Sequence, residues 1–374
     1  MRRVALLVLG GCSFSPSNSQ PGDGKLDDGT IVIDAAIDGR AVDAGANCFG
    51  ADPFLICLTT IPTGTLTLGT TTVNTDSCAA LGGEVLAQAT PPDLCVVSGT
   101  TVTVTGNPYR AEGSLPLVIV ATGDFTVETG AYLDVSSFRG VPSGAGGSFT
   151  GCVAGQPAGT DNNGGGGGGG GSFGTAGAPG GHGPDSILGK GGTAGPATPA
   201  PTIIRGGCRG ASGAIGMGTA GTGGDGGGAV YLVAGGTLRI DATIDASAAG
   251  GQGAPGNKSG GGGGGSGGMI ALYGRTAITI AASGVELFAN GAGGGAGSDN
   301  TAGGNGQQST GANNVAVGGT NGSANGGDGA THAQPSKNGS DSAKGAGAGG
   351  GGLGVIKNVS GQALATGTFS PSPS

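Results

Sequence analysis

The segment Val230 to Ser247, VYLVAGGTLRIDATIDAS, places apolar side chains at every second position in three short runs: Val230 and Leu232, Leu238 and Ile240, Ile244 and Ala246. Gly-Gly and Asp-Ala-Thr separate the runs, so the pattern is period-two strand alternation broken by turn residues. The cassette occurs earlier as VIVATGDFTVETGAYLDVSS, with Val118 and Val120, Phe125 and Val127, Leu133 and Val135 in the matching places. It returns as IALYGRTAITIAASGVELFAN, with Ile270 and Leu272, Ile278 and Ile280, Val285 and Leu287. A unit of this size cannot bury its apolar face alone, whereas stacked copies make a continuous core. The expected fold is all-β: a right-handed parallel β-helix, or solenoid, with long glycine-rich excursions. The alternative is an antiparallel β-sandwich with disordered glycine-rich loops, because Ala234-Gly235-Gly236-Thr237 also suits a tight hairpin.

What lies between the cassettes departs from ordinary globular composition. Glycine supplies 94 and proline 19 of 374 residues, and charged residues only 10%. The stretch 140–228 contains eight consecutive glycines, Gly164 to Gly171; 250–268 contains six, Gly260 to Gly265; 291–352 is rich in Gly, Ala, Ser and Asn. Two readings stand. These are flexible low-complexity loops, or polyglycine-II segments, left-handed and three residues per turn, that pack laterally because no side chain keeps neighbours apart. Ordering so many glycines costs much backbone entropy. Strict G-X-Y register is missing, which excludes collagen.

The N-terminus reads MRRVALLVLGGC, two arginines and a short apolar run ending at Cys12. Leu9-Gly10-Gly11-Cys12 resembles the lipobox of bacterial lipoproteins, so residues 1–12 are expected to be a signal peptide ending at a lipidated cysteine. Residues 13–47, with six aspartates and little to bury, read as a flexible acidic tether. Residues 48–369 form the β domain, with glycine-rich insertions at 140–228, 250–268 and 291–352, and 370–374 a loose tail. Alternating runs at Gly64 to Val73 and Val96 to Gly106 read as entry strands that cover the open end of the stack.

Beyond Cys12 there are six cysteines: Cys48, Cys57, Cys78, Cys95, Cys152 and Cys208. An even number after export indicates disulfides, and their grouping favours the sequential pairs 48 with 57, 78 with 95 and 152 with 208. No C-x-x-C spacing supports zinc. The last bridge would close a long glycine-rich loop, worth about 4 kcal/mol in the chain-entropy model, and is the leading candidate for what fixes that loop.

The opening CFGADPFLICL, the segment IIRGGCRG at Ile203 to Gly210 and the recurrent cassette together resemble the glycine-rich predicted lipoproteins of myxobacterial type, over about Cys48 to Ile356. The resemblance implies an uncharacterised secreted or surface protein and no catalytic residue. Composition alone is also similar to the mycobacterial PGRS repeat domains.

A net charge of -8 argues against nucleic acid, whose phosphates need clustered Lys and Arg. Phosphate-loop, tandem calcium-repeat and serine-elbow patterns are incomplete. One constellation remains: Asp134, Asp245 and Glu286 each sit between the apolar residues of a cassette's third strand. They would point outward as an acidic ladder about 4.8 Å apart. Such carboxylates either bind a cation or work on a glycan as acid and base, or are simply polar outward positions that discourage aggregation. The expectation is a non-catalytic structural or adhesive lipoprotein without cofactor or metal, on the outer membrane or cell surface of a Gram-negative bacterium. Its partners would be the membrane through the lipid, and surface glycans or other matrix proteins. The alternative function is that of a glycan-active or glycan-binding β-helix protein.

Overall fold

The computed structural model describes residues 47–281, 283–364 and 367–374. Cys12 and the tether as far as residue 46 lie outside them. A small hairpin opens the described chain, β1 (Cys48–Phe49) antiparallel to β2 (Ile56–Cys57) and bridged by the Cys48–Cys57 disulfide. After β3 (Leu66–Leu68), β4 (Thr71–Asn74), a 3-10 helix (Thr75–Leu81) and β5 (Glu84–Leu86) come four three-strand units. They are β6 (Leu94–Gly99), β7 (Val102–Val104) and β8 (Tyr109–Glu112); β9 (Leu117–Ala121), β10 (Phe125–Val127) and β11 (Tyr132–Asp134); β12 (Ala229–Ala234), β13 (Thr237–Ile240) and β14 (Thr243–Asp245); and β15 (Met269–Gly274), β16 (Ala277–Ile280) and β17 (Glu286–Phe288). Strands β18 (Val355–Asn358) and β19 (Thr368–Ser370) close the series.

Each unit contributes one strand to each of three sheets, ordered β16-β13-β10-β7-β3, β19-β17-β14-β11-β8-β4 and β18-β15-β12-β9-β6-β5. Counterpart strands pair in parallel, as in Phe125 with Leu238 and Leu133 with Ile244. Two pairs are antiparallel, β1 with β2 and β5 with β6. The run Val96 to Gly106, read as entry strands, belongs to a full unit in register with the first cassette.

Two expectations about the fold are corrected. Among the described residues strand makes up only 23% and helix 2%, in several sheets both parallel and mixed, so the all-β, right-handed parallel β-helix does not describe it. The parallel registers between units overturn the antiparallel β-sandwich. The physical reason is that strand is confined to runs of two to six residues. The glycine stretches between them take an extended backbone that bonds to neighbours in more than two directions, which a sheet does not do.

The alternating residues Val230, Leu232, Leu238, Ile240 and Ile244 are all fully buried in the core between the three sheets. The sheet containing β9 and β12 is apolar on both faces: Val118, Val120, Tyr231 and Val233 pack outward against Phe54, Ile56, Phe173 and Ile204. That double burial is why β9 and β12 read as unbroken apolar runs.

The glycine-rich stretches are ordered, and the reading of them as disordered loops is overturned. Within 260–268, Gly260, Gly263 and Ser266 donate to the carbonyls of Ala214, Ala211 and Cys208. Gly261, Gly264 and Gly267 donate to Ala346, Gly349 and Gly352, and Gly262, Gly265 and Gly268 to Gln252, Ala249 and Ala246, all at 2.8 to 3.1 Å. Three more segments donate back: Gly221, Gly224 and Gly227 to Gly260, Gly263 and Ser266; Gly168 and Gly171 to Gly261 and Gly264; Gly295 and Ala292 to Gly262 and Gly265. The donor direction thus repeats every three residues and one segment serves six neighbours, the lateral packing of a three-residue helix. A Cβ on Gly263 would sit 2.0 Å from the carbonyl oxygen of Gly169, and one on Gly264 2.0 Å from that of Ala292. Side chains are excluded at these positions by backbone contact. Where the lattice does admit one it is small, as at the fully buried Ala254, Ala292, Ala296 and Ala346.

The six cysteines form the sequential pairs, Cys48–Cys57, Cys78–Cys95 and Cys152–Cys208. Beside the last, buried Arg205 lies between the rings of Phe149 and Phe173, 4.7 and 4.0 Å from their centroids, and burial lowers its pKa to about 10. The C-terminal residues, expected to be loose, are tied down. Ser370 is fully buried in β19, and Ser374 exchanges backbone hydrogen bonds with Ile356 and Asn358 beside β18.

Candidate functional site

The acidic residues lie on the face of the β11 and β14 sheet that points away from the apolar core. Asp134 and Asp245 are register partners in neighbouring parallel strands. Glu286 does not join them: Leu287 aligns with Ile244, so the partner of Asp245 is Phe288, and Glu286 instead accepts a hydrogen bond from the amide of Ala312. Next to Asp134 on its other side is Arg110 on β8, whose Nη1 donates to Asp134 Oδ2 at 2.7 Å. The ladder is therefore a cation and two acids, with Glu286 elsewhere.

The pair is also not exposed. Asp134 is 4% and Asp245 2% accessible, because Phe138 stacks over Arg110 at 4.4 Å and Gln308 bonds to Ser136, whose hydroxyl donates to Asp134. Their environments differ. Asp134 has a guanidinium and both donors of Ser136, whereas Asp245 has no cation bonded to it and receives hydrogen bonds from the Ser247 amide and the Tyr132 hydroxyl. Burial, aided by the negative charge of Asp134, pushes the Asp245 carboxyl up to about 7 against the opposing pull of those hydrogen bonds. Burial and the adjacent Asp245 raise the Tyr132 phenol as well. Two carboxyls in unlike surroundings are the electrostatic half of an acid and base pair, but neither is on the wall of the two cavities described next.

Two cavities lie among the described residues. One, of about 330 Å3, lies between the β1–β2 hairpin and β5, with Phe54, Ile56, Leu86, Leu94 and Ile204 on its walls. Its one amide, Gln88, is already held by the backbone of Ile204 on both sides. The other, of about 480 Å3, opens where the third-strand sheet meets the glycine body and is walled by Phe138, Arg139, Asn305, Gln307, Gln308 and Thr310. Among the described residues no group of His, Cys, Asp or Glu is arranged to hold a metal, and no helix is long and apolar enough to cross a membrane.

Alternation alone singled out the acids but missed Arg110 and the wall of the second cavity. Tyr109-Arg110-Ala111-Glu112 does carry the alternation of a third strand, so Arg110 was findable once the unit before the first cassette was recognised. Phe138, Arg139 and Gln308 lie in non-repeating sequence and come together only through the glycine packing.

Compared with protein-family models, with curated proteins and with solved structures, the chain matches none. Its class is therefore defined by architecture alone: a disulfide-bonded protein of repeated three-strand units with an ordered glycine body.

Proposed function

We propose that this chain is a non-catalytic structural or adhesive protein of the cell surface or extracellular matrix, exported and held to the outer membrane by a lipid on Cys12. Export is supported by three disulfides, which persist in oxidising compartments, and anchoring by the Leu9-Gly10-Gly11-Cys12 run. The observation that carries the adhesive reading is the glycine body. Segments cross-bonded to as many as six neighbours make a stiff block that needs no side-chain core and presents its turns and junctions for contact. The neighbouring acids Asp134 and Asp245 are buried beneath Phe138 and Gln308. A glycan-binding role is the second reading, favoured by the aromatic and amide walls of the larger cavity.

Growing cells with a radioactive fatty acid should label the protein, and Cys12→Ala should abolish the label and release soluble product; label retained in the mutant would sink the anchor. A glycan and cell-surface array probed with lipid-free full-length chain should show binding without release of sugar. Released sugar would overturn the non-catalytic reading, and an empty array the adhesive one.

A further inference from the structure

We propose that the cavity formed by Phe138, Arg139, Asn305, Gln307, Gln308 and Thr310 is a saccharide site, and that the sugar it takes carries a carboxylate. The inference builds on the adhesive reading and supplies its ligand class. At about 480 Å3 the cavity falls within the usual range for small-molecule sites. Its chemistry is selective: one aromatic ring, one guanidinium, three amides and a hydroxyl, with no acid on the wall.

Phe138, Arg139, Asn305 and Gln308 are set in place from behind. The Phe138 ring, 39% exposed, is backed by Arg110, which Asp134 holds in turn. An aromatic ring fixed in this way offers an apolar platform to the C–H face of a pyranose, while the polar groups around it meet hydroxyls. Asn305 accepts from the Gly253 amide through Oδ1 at 2.9 Å, and Gln308 donates from Nε2 to Ser136 Oγ at 3.1 Å. Those bonds orient the two amides and leave Asn305 Nδ2 a donor and Gln308 Oε1 an acceptor without a protein partner among the described residues. Sugar hydroxyls require that mixture, since each both donates and accepts.

Arg139 selects the charge. Its Nη1 lies 3.3 to 3.5 Å from the carbonyl oxygens of Gly250, Gly251 and Gly306, which fixes the head group at the edge of the glycine body. Nε and Nη2 have no such partner among the described residues, and a planar guanidinium with free donors fits a carboxylate fork. A single cation on the cavity wall, in a chain of net charge -8, suits one carboxylate rather than a polyphosphate. An apolar ligand would find only Phe138 to contact. A uronic-acid oligosaccharide meets every condition.

Calorimetric titration of the full chain with digalacturonate, with its dimethyl ester and with neutral cellobiose tests this. The acid should bind at least about tenfold tighter than the ester. Arg139→Met should erase that preference by weakening the acid far more than the ester, and Gln307→Ala should weaken acid and ester alike. Both side chains are exposed, so an unchanged thermal unfolding curve is expected and confirms that the variants fold. Equal affinity for acid and ester, no saturable binding of any of the three up to about 10 mM, or a preference that survives in Arg139→Met would overturn the site. Array binding that persists after such a failure would leave the adhesive reading standing and remove only this cavity from it.

Discussion

At the scale of single residues, Asp245 shows how burial can turn an acid into a liability that varies with pH. Its carboxyl titrates near 7 in the folded chain because burial disfavours the charged form. Below the ordinary carboxylate range it is protonated both folded and unfolded, and contributes no pH dependence. Between about 4 and about 7 the unfolded chain has released the proton and the folded chain retains it, so this residue's contribution to stability falls as pH rises and levels off above 7. Asp245→Asn keeps an acceptor for the Ser247 amide and removes the titration, with the Tyr132 hydroxyl turning to accept. Urea unfolding at pH 5, 6, 7 and 8 should show the wild-type chain losing stability relative to the variant across that range, with the variant ahead by about 1 to 3 kcal/mol at pH 8. Parallel pH profiles for the two proteins would disprove the buried-acid account. The sequence placed Asp134 and Asp245 correctly as neighbours but set Glu286 beside them wrongly, and the reason is geometric. A one-residue slip turns side chains to the other face, whereas a two-residue slip keeps every side chain on its face. Val285-Glu286-Leu287 therefore satisfied the alternation as well as Leu287-Phe288-Ala289, which is the register that forms.

At the scale of elements, strands and glycine segments were unequally legible. Strand alternation reports burial through side chains, and all three cassettes were readable from Val, Ile, Leu and Phe alone. A glycine segment carries no side-chain signal, so its donor rotation and its partners are fixed by contacts as distant in sequence as Gly168 with Gly261 and Gly349. The unit of β6, β7 and β8 was half visible for a related reason: Val102 and Val104 alternate plainly, but Tyr109 and Ala111 follow an Asn107-Pro108 turn that the cassette pattern does not contain. The close backbone approach can be tested position by position. At Gly263 a methyl group would collide with the Gly169 carbonyl at 2.0 Å, whereas at Gly69 nothing lies within 4 Å. Gly263→Ala should destabilise the protein by about 3 kcal/mol or more, as overpacking against backbone does. Gly69→Ala should be neutral or stabilising by up to about 1 kcal/mol, through the unfolded chain. Chemical denaturation of the two variants side by side makes the comparison, and equal midpoints would show that the lattice yields to a side chain.

For the molecule as a whole, glycine body and sheets are continuous chain. Gly228 leads into β12, Gly268 into β15 and Gly354 into β18, while β11, β14 and β17 run outward into the segments that donate to or accept from them. The hydrogen bonds cross the junction without a break: Gly268 donates to Ala246, Met269 to Gly228, and Gly228 to Val135. This arrangement changes what the Cys152–Cys208 bridge is expected to do. The loop it closes has few apolar side chains, which makes covalent closure look decisive from sequence. In the fold, however, Gly165, Gly168 and Gly171 donate to Lys258, Gly261 and Gly264, and the same stretch accepts from Ala346, Gly349 and Gly352. The lattice therefore holds the middle of the loop, and the disulfide acts on the unfolded chain. Replacing Cys152 and Cys208 by Ser should lower stability by up to about 4 kcal/mol, the loop-closure term for a separation of 56 residues. Under conditions where the variant remains folded, limited proteolysis with mass mapping should still find residues 164–171 protected, with any new cleavage confined to the exposed stretches near Val153 and Thr198. Cleavage within the glycine run while the strand units stay intact would mean that the bridge, and not the backbone lattice, orders the excursion.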